Sequence, residues 1–303
     1  MPLDPQLQPI LGMFGGELAV IGKTPEEVRA MMSSFDMPRS DDGLRSVEDV
    51  TVAGLPARVY RAEGTGSPEP VFVYYHGGGF VIGSIANYDA TCASIAADSG
   101  VTVISVEYRL APEHPFPEPV EDAYAALAYV ADQAAELGVD ASRLAVGGDS
   151  AGGNLAAVVT HLARERGGPA LAYQLLIYPG IDLTMSYPSI DENGALRYML
   201  SRESMEWFCG HYLPNGDDAD DWRASPLNAP SFDGLPPAFV ITAEFDPLRD
   251  EGEAYAERLR ASGTPVRLHR VAGACHGFYA FPIDSAKAIH AEITAELRTA
   301  LRP

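Results

Sequence analysis

The chain has 303 residues, 47% of them apolar, enough to bury a large core within one domain. Its 21 basic and 42 acidic residues give a net charge of −21, which argues against nucleic acid and against an anionic membrane surface as partners, since both need clustered Lys and Arg. Three scattered cysteines (Cys92, Cys209 and Cys275) form neither a disulfide framework nor a zinc pattern, no basic residue precedes Lys23, and no stretch is apolar enough to span a bilayer, so a cytoplasmic protein without a metal is expected.

In chain order, residues 1–45 read as helical and amphipathic, with Leu7, Ile10, Leu11 and Phe14 at helical spacing. Thr24-Pro25-Glu26-Glu27 starts a second helix, with Thr24 as N-cap and Pro25 at the first helical position. Strands are expected at 47–52 and 57–62, separated by a turn at Gly54-Leu55-Pro56, and Gly64–Pro70 reads as a loop. From there the pattern alternates. Apolar runs at 71–75, 101–108, 144–149, 171–178, 238–245 and 266–271 read as strands. Helical stretches are expected at 86–98, 119–137, 150–166, 250–262 and 284–301. Continuous apolar strands alternating with helices predict an α/β fold, a parallel sheet covered on both faces.

Residues 182–230 interrupt the rhythm. Their aromatics, Trp207, Phe208, Tyr212 and Trp222, either line a lid or fill a small core. The run Asp217-Asp218-Ala219-Asp220-Asp221 reads as a solvated loop, because its spacing does not match a calcium-coordinating loop.

Gly148-Asp149-Ser150-Ala151-Gly152 fits G-x-S-x-G, with an apolar strand leading in and an Ala-rich helix leading out. That tight turn lifts the serine hydroxyl to the carboxyl end of the sheet, where open α/β folds bind ligands. A serine hydroxyl needs a base to act as a nucleophile. His276, just past the strand at 266–271, supplies one, and Asp246, just past the strand at 238–245, can orient it. The order Ser…Asp…His is the one this fold imposes. Asp250, the rival carboxylate, reads as a first-turn helix residue. His114, His161, His211, His269 and His290 read as structural or exposed. His76-Gly77-Gly78-Gly79 follows the strand at 71–75, and glycine amides approach a developing oxyanion closely. Gly78, Gly79 and Ala151 are the expected donors, with Gly77 in the same group as the residue that shapes the turn. His76 and Asp149 support these two motifs, His76 by holding its loop.

On these residues the chain resembles the hormone-sensitive-lipase-like esterases, bacterial family IV of the α/β-hydrolase superfamily. The matching segments are YYHGGGFVIGS (74–84), YRLAPEHPFP (108–117), GGDSAGGNLA (147–156), DPLRDEG (246–252) and CHGF (275–278). The resemblance implies an eight-stranded, mostly parallel sheet with helices on both faces. It also implies a helical cap built from residues 1–45 and 182–230 over a catalytic domain of 46–181 and 231–303. A carboxylic ester hydrolase acting on small-molecule, short-chain acyl esters is implied, with no cofactor. Members of the family often form homodimers through the edge strand corresponding to 266–271. The cap segments match only loosely, so substrate specificity does not transfer. Cys275 departs from the family pattern and is either a packed side chain or a redox-sensitive thiol. An amidase or lactonase could use the same residues, whereas a non-catalytic receptor on this fold would be expected to lose the base. A lipase working on insoluble fat would need an interfacial anchor that this acidic chain does not display.

Overall fold

The computed structural model describes residues 2–35, 38–64 and 66–302; the other positions of the 1–45 segment and of the expected 64–70 loop lie outside the described residues. Eight strands, β1 (Leu44–Val52), β2 (Leu55–Ala62), β3 (Glu69–Tyr75), β4 (Thr102–Val106), β5 (Val139–Asp149), β6 (Tyr173–Ile177), β7 (Ala238–Phe245) and β8 (Val266–Cys275), form one sheet in the order β1-β2-β4-β3-β5-β6-β7-β8. The pairings β1–β2 and β2–β4 are antiparallel, and the rest are parallel. The strands β3 and β5–β8 therefore end on one edge of the sheet, and their following loops meet there.

The helices are α1 (Leu7–Phe14), α2 (Pro25–Met32), α3 (Asp89–Ser99), α4 (Glu118–Asp132), α5 (Ala134–Leu137), α6 (Ala151–Glu165), α7 (Pro188–Gly194), α8 (Arg202–Tyr212), α9 (Arg249–Ala261) and α10 (Asp284–Ala300). Side chains alternate across the pleat of β3. Val71, Val73 and Tyr75 enter the core shared with α4, α6 and α9, while Phe72 and Tyr74 enter the core shared with α1, α3 and α10. A strand buried on both faces has no polar side to show, which is why β3 reads as an unbroken apolar run. The Thr24 hydroxyl accepts from the Glu27 amide and the Thr24 amide donates to Glu27 Oε2 at 2.9 Å, a reciprocal cap that starts α2 where Pro25 has no N–H to lose.

Several boundaries differ from the sequence expectation. The β1–β2 turn is Ala53-Gly54, both at positive φ, so Leu55 and Pro56 belong to β2; a two-residue turn of this kind matches the strand twist. The helix expected over 119–137 breaks at Gln133 into α4 and α5, and Gly138 in the left-handed region ends the second piece. β5 begins at Val139, ahead of the expected 144, because Asp140–Arg143 extends without any apolar signal. β8 continues through the small buried residues Gly273, Ala274 and Cys275, and lies at an edge of the sheet. No described helix is long and apolar enough to cross a membrane.

Candidate active site

Ser150 follows β5 and caps α6 at φ 53 and ψ −118, a backbone state that a side-chain-bearing residue rarely adopts. The turn is held by the Ser150 amide donating to the Ile177 carbonyl at 2.9 Å and by the Asn154 and Gly180 amides donating to the Ser150 carbonyl. Close packing against β3 dictates the flanking glycines. A Cβ at Gly152 would sit 1.9 Å from the Tyr75 carbonyl oxygen, and one at Gly148 would sit 2.2 Å from the same atom.

His276 lies just beyond β8, and its Nε2 is 3.0 Å from Ser150 Oγ. Its Nδ1 is 2.8 Å from Asp246 Oδ2. With its proton on Nδ1, the ring donates to the carboxylate and Nε2 can accept from the serine hydroxyl. Asp246, beyond β7, is fully buried, and its Oδ1 accepts from the Leu248 amide at 2.9 Å. Asn193 of α7 fixes the same loop by donating to the Asp246 carbonyl at 2.9 Å. Tyr178 packs edge-on against the imidazole with ring centroids 4.9 Å apart. The rival Asp250 faces elsewhere, accepting from the Ser189 amide and from Arg249 Nε.

The other histidines are engaged away from Ser150. His161 contacts Tyr255, His290 bridges Tyr279 and Asp98, His269 meets Glu292, His114 meets Glu118, and His211 packs on Trp207. His76 is fully buried and stacked on Tyr108 at 4.3 Å; its Nδ1 donates to the Gly77 carbonyl, and burial pulls the imidazole down to about 4. A ring held neutral in this way braces the loop.

The glycine loop after β3 requires one correction. Gly77 was grouped with the oxyanion donors, but its amide is committed to Asp149 Oδ1 at 2.9 Å. Gly78, Gly79 and Ala151 line the cavity at Ser150, and their amides have no acceptor among the described residues. Gly78, at φ 118, occupies a backbone region closed to other residues. Asp149 joins the two motifs. Its Oδ1 also accepts from Tyr74 at 2.8 Å and its Oδ2 from Tyr88 at 2.9 Å. Burial pushes this carboxyl upward, and the hydrogen bonds from Tyr74, Tyr88 and Gly77 oppose the shift.

Ser150 opens into a cavity of about 720 Å³ lined mainly by apolar side chains. Met13 and Phe14 of α1, Met32 of α2, and Met205 and Phe208 of α8 form part of its wall. The aromatics of 182–230 divide between the two expected uses. Phe208 lines the cavity, whereas Tyr212 is buried and stacks on Phe80 at 3.8 Å, and Trp222 packs near His161. In the aspartate run, Asp218 accepts from the Asn215 amide and Asp221 pairs with Arg223 at 2.7 Å; among the described residues no cluster of His, Cys, Asp or Glu could hold a metal ion. Cys275 is fully buried and burial pushes its thiol up to about 12, so it packs as a small apolar side chain. Tyr88 and Asn193 lie outside the matching segments and give the sequence no motif signal, while nothing in the segments that hold Tyr74 and Asn154 marks the contacts these two make.

A sequence profile of the α/β-hydrolase fold matches residues 72–280. The chain is 43% identical to the carboxylic ester hydrolase LipN of Mycobacterium tuberculosis over 290 residues, covering 91% of this chain and 77% of that protein. It is 40% identical to an ethyl acetate hydrolase of Pseudomonas putida over 227 residues, covering 74% and 71% of the two chains. Among solved structures, a hyperthermophilic esterase from Pyrobaculum calidifontis superimposes with a TM-score of 0.91 at 41% identity, covering 99% of both chains. The chain belongs to the α/β-hydrolase fold family, in its hormone-sensitive-lipase-like group.

Proposed function

We propose that this hormone-sensitive-lipase-like α/β hydrolase cleaves carboxylic esters with short acyl chains, using Ser150 as nucleophile, His276 as general base and Asp246 as the partner that orients it. The observation that carries the reading is the unbroken chain of hydrogen bonds, Ser150 Oγ to His276 Nε2 at 3.0 Å and His276 Nδ1 to Asp246 at 2.8 Å, with Ser150 and His276 lining an apolar cavity. The relatives named for ester hydrolysis support the reaction class, and the one named for ethyl acetate supports a short acyl group.

His276 Nε2 takes the Ser150 proton as Oγ attacks the ester carbonyl. The amides of Gly78, Gly79 and Ala151 hold the resulting oxyanion, and the N-terminal end of α6 adds its positive dipole. As the tetrahedral adduct collapses, the imidazolium returns its proton to the departing alcohol, leaving acyl-Ser150. Water, deprotonated by the same nitrogen, then releases the acid and regenerates the serine. Buried Asp246 stabilises the imidazolium in both halves without taking the proton. The segments carrying α1, α2, α7 and α8 act as a cap that excludes water and shapes the substrate.

Ser150→Ala tests the reading. The folded variant is expected to lose p-nitrophenyl butyrate hydrolysis by at least ~10⁴-fold, with an unchanged circular dichroism spectrum. Substantial turnover by the folded variant would refute it.

A further inference from the structure

Arg29 on α2 is far in sequence from the groups around Ser150, yet it reaches the outer side of the glycine loop. Its Nε donates to the Val81 carbonyl at 2.8 Å and its Nη2 to the Ala111 carbonyl at 2.7 Å. Nη1 and the same Nη2 also donate to Glu113 at 2.7 and 2.8 Å, and this pairing holds the Glu113 carboxyl down to about 2. Val81 belongs to the turn that carries the proposed oxyanion donors: the amides of Val81 and Ile82 donate to the Gly78 carbonyl at 3.0 and 2.9 Å. That turn includes Phe80 at φ 65, a backbone state that a bulky residue keeps only when its surroundings hold it there. One support is the Ala111 amide donating to the Phe80 carbonyl at 2.9 Å, and a second is Tyr212 of α8 stacked on the Phe80 ring. The guanidinium fork spans both loops, fixing Val81 relative to Ala111 from a third segment of the chain.

An exposed Arg–Glu pair alone would contribute little. Here half of the four bonds go to backbone carbonyls at partly buried positions, so the information they carry is positional. A lysine has one point charge and lacks the planar fork needed to meet both carbonyls and the carboxylate.

We infer that Arg29 is a positioning residue for the oxyanion-binding turn, so that the N-terminal segment carrying α2 sets the geometry of transition-state stabilisation as well as covering the cavity. The inference rests on the proposed ester hydrolysis at Ser150. Loosening the turn moves the Gly78 and Gly79 amides away from the place where negative charge develops, and leaves the apolar wall that binds the ground state in place.

The test compares wild type with Arg29→Ala, Arg29→Gln, Arg29→Lys and Glu113→Gln, all in the full chain. Three quantities are measured: kcat and KM for p-nitrophenyl butyrate, the affinity for an alkyl trifluoromethyl ketone that forms an oxyanion on Ser150, and the affinity for the matching secondary alcohol, which cannot. For Arg29→Ala and Arg29→Gln, kcat falls roughly tenfold with KM within about twofold. Ketone affinity falls by the same factor, and alcohol affinity holds. Arg29→Lys and Glu113→Gln lie between these and wild type, and millimolar ethylguanidinium restores part of kcat to Arg29→Ala. Unchanged kcat and an unchanged ketone-to-alcohol affinity ratio in folded variants would overturn the inference, as would a loss confined to KM and alcohol binding. If Arg29→Ala does not fold, Arg29→Lys and Glu113→Gln decide by the same ratio. An inactive wild type would remove the reading of Ser150 and this inference with it, whereas an active wild type indifferent to Arg29 would remove this inference alone.

Discussion

Replacing Asp149 separates the roles of the buried carboxylate that ties the Ser150 turn to the glycine loop. It is nearly inaccessible to solvent and accepts from Tyr74, Gly77 and Tyr88 at 2.8–2.9 Å. Asp149→Ala strands three buried donors, each costing about 1–3 kcal/mol without a partner, and water admitted to the space recovers part of that, so a net loss of about 3–5 kcal/mol is expected. Asp149→Asn keeps an oxygen for the two donors on Oδ1 and presents its amide N–H to Tyr88, whose hydroxyl can rotate to accept it. That change is expected to cost only about 1 kcal/mol. Function follows the same order. Releasing the Gly77 amide frees the loop that bears Gly78 and Gly79, so kcat should fall ~100-fold in Asp149→Ala and less than ~10-fold in Asp149→Asn. Urea unfolding followed by tryptophan fluorescence gives the stabilities, and p-nitrophenyl butyrate hydrolysis gives the rates. Equal unfolding midpoints for the two variants, or full activity in Asp149→Ala, would refute the reasoning.

Other expectations concern backbone approach and protons. Gly152→Ala places a Cβ 1.9 Å from the Tyr75 carbonyl oxygen and 2.6 Å from that of His76, so no folded enzyme, or a loss above ~4 kcal/mol, should be recovered. Gly210→Ala on the exposed face of α8 meets nothing within 4 Å and should stabilise by about 0.5–1 kcal/mol in the same urea assay. Burial pulls His76 down to about 4 and His161 to about 3, so below the ordinary imidazole value of ~6.5 the unfolded chain takes protons that the native state refuses. Stability from these groups is therefore full above ~6.5 and lost as pH falls toward about 4 and then about 3, at up to ~1.4 kcal/mol per pH unit for each proton. Buried Glu251 and Asp149, pushed upward by burial, act with the opposite sign. Comparing His161→Gln with wild type cancels them, and the variant should show a shallower acid slope by one proton.

Much of the architecture was legible because it rests on patterns that burial imposes locally. Strands covered on both faces read as apolar runs, and Ser150, Asp246 and His276 each fall just beyond one, which is enough to bring their side chains to the same edge of the sheet. Long-range polar contacts were not legible. Tyr74 and Tyr88 resemble core residues until Asp149 is seen between them, and Arg29 meets Val81 and Ala111 across 52 and 82 positions of chain. The commitment of the Gly77 amide is hidden for a related reason: a triple glycine does not reveal which N–H is already taken. Strand ends built from Asp, Ser or small residues, as in β5 and β8, carry no hydrophobic period to mark them.

The most direct measurement is covalent labelling with a fluorophosphonate, followed by peptide mapping. The proposal predicts one equivalent of label on the peptide containing Ser150, no label in Ser150→Ala, and labelling slowed by orders of magnitude in His276→Ala. Label at another serine, or stoichiometric modification of Ser150 at an undiminished rate without His276, would contradict it.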